Sequence, residues 1–170
     1  MATFAMSEAL TIIIKGNDPS KAAKQISLTD LGSIKVSKEE TKQMAATIPR
    51  SSILGFIIGV LPGAGATIAS FLAYGMERNF VKSEEKEKFG KGSVRGLSAP
   101  ETANNAACSG SFVPLLTLGI PGSGTTAVML GALLGFGIQP GPRLYETNPD
   151  IFWSVIMSMY IGMVVLLILN

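Results

Sequence analysis

The sequence predicts an all-α integral membrane fold built from broken helices. Three observations carry that expectation. Only 15% of the 170 residues are charged and 47% are hydrophobic, with a mean hydropathy of +0.40; a soluble domain carries about 25% charged residues. Glycine occurs 19 times, and Gly and Pro are commoner in transmembrane helices than in soluble ones. Finally, the apolar segments contain nearly the same interruption twice, LPGAGAT at 61–67 and IPGSGTT at 120–126.

The composition also excludes function classes. A net charge of +2 leaves no footprint for nucleic acid. Histidine, the commonest general base and metal ligand, is absent. Cys108 stands alone, so neither an internal disulfide nor a Cys-rich metal site is expected. Its small neighbours Ala106, Ala107, Ser109 and Gly110 make it a packing residue. Ser123 has no visible base beside it. The expectation is a protein that is not an enzyme and holds no metal and no cofactor.

Residues 1–46 read as a polar linker with a surface helix, and residues 47–170 as the membrane domain. The start, MATFAMSEALTIIIKG, lacks the basic beginning and long apolar core of a signal peptide. Residues 15–50 hold seven Lys or Arg. Ser37 with Glu40 three positions on spells a capping box, which predicts a short helix over 37–47. Ile48 and Pro49 are then expected to turn the chain into the membrane.

Residues 51–76 form two apolar arms around LPGAGA. Each arm of about ten residues makes about 15 Å of helix, half of a hydrocarbon core about 30 Å thick. Residues 77–95 carry six Lys or Arg among four Glu and read as a solvated loop with a helical turn. Basic flanks tend to be cytoplasmic. With both flanks basic, a re-entrant hairpin with its tip at 62–65 is favoured over one long broken span.

Glu101 is the only charged residue between Gly96 and Pro142. It is either an intramembrane carboxylate, with a role in proton or ion coupling, or a first-turn helix acid after Pro100. Asn104 and Asn105 offer donors and acceptors without charge; the alternative is a pair of loop or cap asparagines. Residues 111–138 are the second broken segment, and a turn with three prolines follows at 138–150. Residues 151–170 suffice for a full transmembrane helix, with Trp153 as an interfacial anchor. The apolar run continues to the last residue, as expected of a fragment of something longer.

The two breaks align with an offset of 59: Pro62 on Pro121, Gly63 on Gly122, Gly65 on Gly124, Thr67 on Thr126. Non-helical backbone at membrane depth survives only inside protein or beside a watery cavity. Transporters exploit this, aiming half-helix amino ends at an anionic solute. Proline ends the first half-helix, and glycine permits positive φ and close approach. Thr67 and Thr126 then cap the second half-helix or bind a ligand oxygen or cation. The alternative is a pair of helix kinks with glycine packing.

These motifs carry a family resemblance. LPGAGATIASFLAYGMER, the segment from FGKGSVRGLSAPETANNAACSG through IPGSGTTAVMLGALLGFGIQPGP, and MSMYIGMVVLLILN resemble the TctA family, the large membrane subunits of bacterial tripartite tricarboxylate transporters. The resemblance covers about 47–170 and implies an inverted-repeat secondary transporter, of which this chain holds one partial repeat from the C-terminal half. It implies a multi-pass protein of the bacterial inner membrane. Its function would be binding-protein-dependent, cation-gradient-driven uptake of citrate or related carboxylates, coupled to Na⁺ or H⁺. It implies a small TctB-like membrane subunit, a TctC-like periplasmic binding protein and membrane lipid as partners, and no nucleic acid. Pro62, Gly63, Gly65 and Thr67 match the first signature. Pro121, Gly122, Ser123, Thr125 and Thr126 match the second. Glu101, Asn104 and Asn105 match the segment between. The chain departs from the family pattern at Thr102, Cys108, Gly124 and Met163. A channel, or a carrier for another solute, would share the broken helices. A membrane scaffold fragment without transport would show continuous spans with small-xxx-small faces, a signature the linear sequence does not display.

Overall fold

The computed structural model describes Met6, Leu10 and residues 36–169. The chain divides into two units, Met1–Ser37 and Lys38–Asn170. The expectations for the linker over 1–35 lie, apart from Met6 and Leu10, outside the described residues. Among the described residues the chain is helical and has no strand.

Helix α1 (Lys38–Val60) opens with Glu39 and Glu40 in its first turn, where acidic side chains favour the helix dipole. It runs straight through Pro49, so the turn expected at Ile48–Pro49 is not made. Proline removes one backbone bond, to Ala45, while its φ remains helical. The arm is therefore not a ten-residue stub. At 23 residues it is long and apolar enough to cross a membrane, which corrects the arm lengths read from the sequence. Leu61 N then donates to Ile58 O at 3.1 Å and Ala64 N to Leu61 O at 3.2 Å, reversing the chain. Helix α2 (Gly65–Phe80) follows. Thr47 and Arg50 in the middle of α1 bond Glu77 near the end of α2. The two helices are therefore an antiparallel hairpin.

The charged stretch is more than a solvated loop. Helix α2 continues to Phe80, and α3 (Ser83–Lys86) is a single turn. Val81 and Phe89 are buried, with Phe89 edge-on to Tyr74 at 5.3 Å. Glu77 is fully buried. Arg50 Nη2 contacts both its carboxylate oxygens at 2.8 Å, Thr47 Oγ1 donates to Oε1 at 2.8 Å, and Arg95 Nη1 reaches Oε1 at 3.4 Å. This ion cluster ties α1, α2 and the next helix together at the open end of the hairpin.

Helix α4 (Val94–Gly110) starts on Ser93, whose Oγ accepts from Gly96 N at 3.1 Å. Pro100 lies inside it, so Glu101 sits mid-helix and the first-turn reading of that residue is set aside. Helix α5 (Phe112–Leu118) follows after Ser111. Pro114 has no N–H to donate to Gly110 O, and the break falls there. Gly119, at φ +70°, ends α5 with Gly119 N on Leu115 O and Ile120 N on Pro114 O. That is glycine termination of a helix, two residues before Pro121. Proline is not the terminator in this copy.

Helix α6 (Gly124–Gly135), the short α7 (Leu144–Thr147) and α8 (Pro149–Leu169) complete the chain. Gly141 N donates to Leu116 O at 3.2 Å, and Leu144 is buried, so the proline-rich turn folds back onto α5. Beside it, Tyr145 donates to Glu146 Oε1 at 2.8 Å. That bond and the carboxylate's charge raise the phenol's pKa above the usual tyrosine range. Proline opens α8 at a position where its missing N–H costs nothing.

The packing is inside-out for a soluble protein. The interior of α1, α2 and α4 is made of small residues four apart: Thr47, Ser51, Gly55, Gly59 on α1; Ala69, Ala73 on α2; Ala99, Ala103, Ala107 on α4. A Cβ on Gly55 would collide with Ala103 O, and one on Gly59 with Ala107 O. The backbones are in direct contact, which is how membrane helices associate. This corrects the sequence reading: small-xxx-small faces are present, beside the polar breaks. The large apolar side chains point outward. Phe71 is 75% exposed and Phe136 82%. No residue of α8 is buried, and its mean hydropathy is 2.4.

Candidate functional site

The small-residue contacts decide where the breaks meet. Gly55 and Gly59 face Ala103 and Ala107 in the same order, so α1 and α4 run parallel and end together. A Cβ on Gly110 would lie 2.5 Å from Phe56 O. A Cβ on Gly122 would lie 2.8 Å from Ser111 Cβ and 3.1 Å from Gly59 O. Glycine at 122 thus seats the second break against the end of α1, close to the first.

The outcome is one cleft of about 560 Å³ lined by both breaks. Gly63, Gly65, Ala66 and Thr67 line it from the first. Pro121, Ser123, Gly124, Thr125 and Thr126 line it from the second, and Cys108, Ser111 and Phe112 form its floor. The amino ends of α2 and α6 therefore open onto a single space. The first turn of a helix leaves backbone N–H groups without intrahelical partners.

The two amino ends differ chemically. Gly63 and Gly65 take φ of +78° and +70°, and α2 starts on Ala64 with no side-chain cap. Thr67 is exposed, and its hydroxyl has no hydrogen-bond partner among the described residues. Helix α6 is capped by Ser123 and Thr126: Ser123 N donates to Thr126 Oγ1 at 2.8 Å, and Thr126 N to Ser123 Oγ at 3.3 Å. The Thr126 hydroxyl also lies 2.9 Å from Ser123 O, and the residue is 1% exposed. Its hydroxyl is engaged in the cap. Thr125, beside it, is exposed to the cleft.

A second cleft of about 400 Å³ adjoins the first and shares Thr67. Ser70, Phe71, Tyr74, Pro100 and Asn104 complete it. Ser70 Oγ sits 3.0 Å from Ala66 O and 3.1 Å from Pro100 O, and Asn104 Nδ2 donates to it at 3.4 Å. Of the residues expected at a site, Pro62 is exposed at the tip, outside both linings, and Gly122 is buried in the packing. Asn105 and Glu101 are exposed and line neither cleft; Asn105 Nδ2 bonds Glu101 O at 2.9 Å. Cys108 is exposed in the cleft, not the packing residue its neighbours suggested. Sequence reasoning passed over Ser70, Tyr74, Ser111 and the Glu77 cluster. The lone carboxylate at the end of an apolar run was the one available signal for the last.

Comparison with known proteins follows this geometry. The family model described as "Tripartite tricarboxylate transporter TctA family" matches residues 1–170. The chain is 47% identical over 135 residues to the "Uncharacterized 52.8 kDa protein in TAR-I ttuC' 3'region" of Agrobacterium vitis, covering 79% of this chain and 26% of that protein. It is 47% identical over 116 residues to the "Uncharacterized protein in TAR-II ttuC' 3'region" of the same organism, covering 68% of this chain and 47% of that protein. The chain thus spans about a quarter and about half of these relatives. No solved structure matches it.

Proposed function

The chain belongs to the tripartite tricarboxylate transporter TctA family, and from that premise we propose that it forms part of a solute pathway for carboxylates in a bacterial inner membrane. The observation that carries this reading is the convergence of both Pro-Gly breaks on one cleft. A carboxylate there receives backbone N–H groups from the amino ends of α2 and α6, whose dipoles favour an anion. Gly63 and Gly65 let the backbone approach the solute closely, and Thr67 and Thr125 supply hydroxyls.

In this reading α1 and α2 form a re-entrant hairpin, α8 spans the bilayer with lipid around it, and the chain is one part of an inverted-repeat, multi-pass transporter. The small-residue interior with large apolar side chains outside supports membrane burial. The complete subunit works with a small TctB-like subunit and a TctC-like binding protein. Citrate or a related carboxylate enters on a Na⁺ or H⁺ gradient.

A second reading is a membrane scaffold, which the small-xxx-small faces would also serve. Uptake of labelled citrate and other carboxylates into proteoliposomes separates the two. The membrane subunit, at the length of its relatives, would be reconstituted with its partners under imposed Na⁺ or H⁺ gradients. Gradient-driven uptake that requires the binding protein is the expected result. Folded protein with no uptake of any carboxylate would favour the scaffold.

A further inference from the structure

Helix α8 sits loosely on the rest of the chain. None of its residues is buried, yet one side of it faces α5 across an apolar cleft of about 330 Å³. Phe56, Phe112 and Leu116 line this cleft from the body, and Phe152, Ile156 and Met163 line it from α8. Its two hydroxyls are already engaged: Ser109 Oγ donates to Asn105 O at 3.4 Å and Thr117 Oγ1 to Val113 O at 2.7 Å. An empty cleft forfeits the dispersion contacts of both walls, so in a bilayer something apolar fills it.

The dimensions select what fills it. From Phe152 to Met163 α8 rises about 16 Å, close to one leaflet of a hydrocarbon core about 30 Å thick. Spread over that length, the volume of about 330 Å³ leaves a cross-section of about 20 Å². A helix about 10 Å across needs about four times as much. The slimmer element that a membrane offers is a single acyl chain.

One end of the cleft is equipped for a headgroup. Phe152 N donates to Asn148 O at 3.1 Å, and Gly141 N to Leu116 O at 3.2 Å. The apolar cleft therefore adjoins a polar one of about 470 Å³ around Gln139, Arg143, Thr147 and Asn148. Arg143 is the sole Lys or Arg in 96–170. Its Nε lies 3.5 Å from Glu146 Oε2, and its side chain is 81% exposed. A pair so long and so exposed is weak, and the guanidinium keeps further N–H groups for a phosphate, an anion its fork matches. Tyr145 and Trp153 are exposed at the same end, and aromatic rings mark the headgroup level of a membrane.

We propose that the cleft between α5 and α8 is a site for one membrane glycerophospholipid, with an acyl chain between the helices and its phosphate on Arg143. The lipid supplies the packing that α8 lacks against α5. Phe112 lines both this cleft and the larger one between the breaks, so the bound chain also backs one wall of the solute cleft.

The test is native mass spectrometry of the full-length subunit in mild detergent, counting retained phospholipid. Wild type is expected to retain one phospholipid more than Val113→Trp, whose indole would occupy the cleft from α5. Val128→Trp, exposed on α6, is expected to keep the wild-type count. Arg143→Gln changes an exposed side chain and keeps the test decisive should Val113→Trp fail to fold. Titrated with phospholipid after delipidation, it is expected to bind about tenfold more weakly, with Arg143→Lys restoring part of the loss. Added phospholipid should raise the thermal midpoint of wild type, because a ligand of the folded state stabilises it, and raise that of Arg143→Gln less. Equal counts in wild type and Val113→Trp, or equal affinity in wild type and Arg143→Gln, overturn the proposal. So does efficient crosslinking of Val113→Cys to another segment of the subunit, which would show protein in the cleft instead of lipid.

Discussion

The break at 61–64 turns on two glycines with positive φ and leaves the next helix uncapped. The break at 119–123 turns on Gly119, keeps Gly122 for close packing, and caps the next helix with Ser123 and Thr126. The lettering is nearly the same and the construction is not. In the first break the glycines serve conformation and the threonine is free. In the second, one glycine serves space and the threonine is occupied. Similar residues therefore take different roles according to what packs behind them: open space behind Gly63 and Gly65, the body of Ser111 and Gly59 behind Gly122.

The comparison can be broken at its foundation. Removing one partner of the buried Glu77 cluster, with Glu77→Ala, is expected to cost about 3–5 kcal/mol. Thermal unfolding in detergent would measure it; an unchanged midpoint would deny that the hairpin depends on this cluster. Next comes Gly59→Val, which pushes α1 off Ala107 and disturbs the seat of Gly122. Overpacking of about 1–3 kcal/mol is expected, and crosslinking between α1 and α4 should fall with it.

Alanine at two matched glycines sharpens the contrast. Gly63→Ala forces a Cβ into positive φ, at about 1–2 kcal/mol, with no steric neighbour. Gly122→Ala has no such strain but meets Ser111. Shrinking that neighbour with Ser111→Gly should rescue Gly122→Ala in part, since Ser111 Cα and Gly59 O stay close, and leave Gly63→Ala unimproved, as read by midpoint shifts. Equal rescue of both would abolish the distinction. The smallest stability effects lie at the threonines. Thr126→Val loses the reciprocal cap, at about 1 kcal/mol. Thr67→Val is expected to stay within about 0.5 kcal/mol and instead to raise the KM for carboxylate uptake. A lowered midpoint for Thr67→Val with unaltered KM would reverse the assignment.

Much of this was legible in the chain. The charge deficit, the glycine content and the repeated Pro-Gly words pointed to helices broken inside a membrane, and local rules suffice for that. The spread of α1 through Pro49 was not legible, because what offsets the proline is the packing of Thr47 and Ser51 on either side of it, a tertiary contact. Nor was burial of Glu77, whose partners Arg50 and Arg95 belong to segments that read as solvent-facing.

Composition and spacing alone determined the helical class, the positions of both breaks and the lack of Lys and Arg in 51–76 and 96–142. Only the tertiary structure decided that both breaks open onto one cleft, that Thr67 and Thr125 face it while Thr126 closes a cap, and that Asn104 lines the adjoining cleft while Asn105 and Glu101 stay outside both. The reason is physical. A break is a local property of the backbone. Which side of it meets a cavity depends on the contacts of Gly55 and Gly59 with Ala103 and Ala107, and those small residues carry no sign in the sequence of what they will touch.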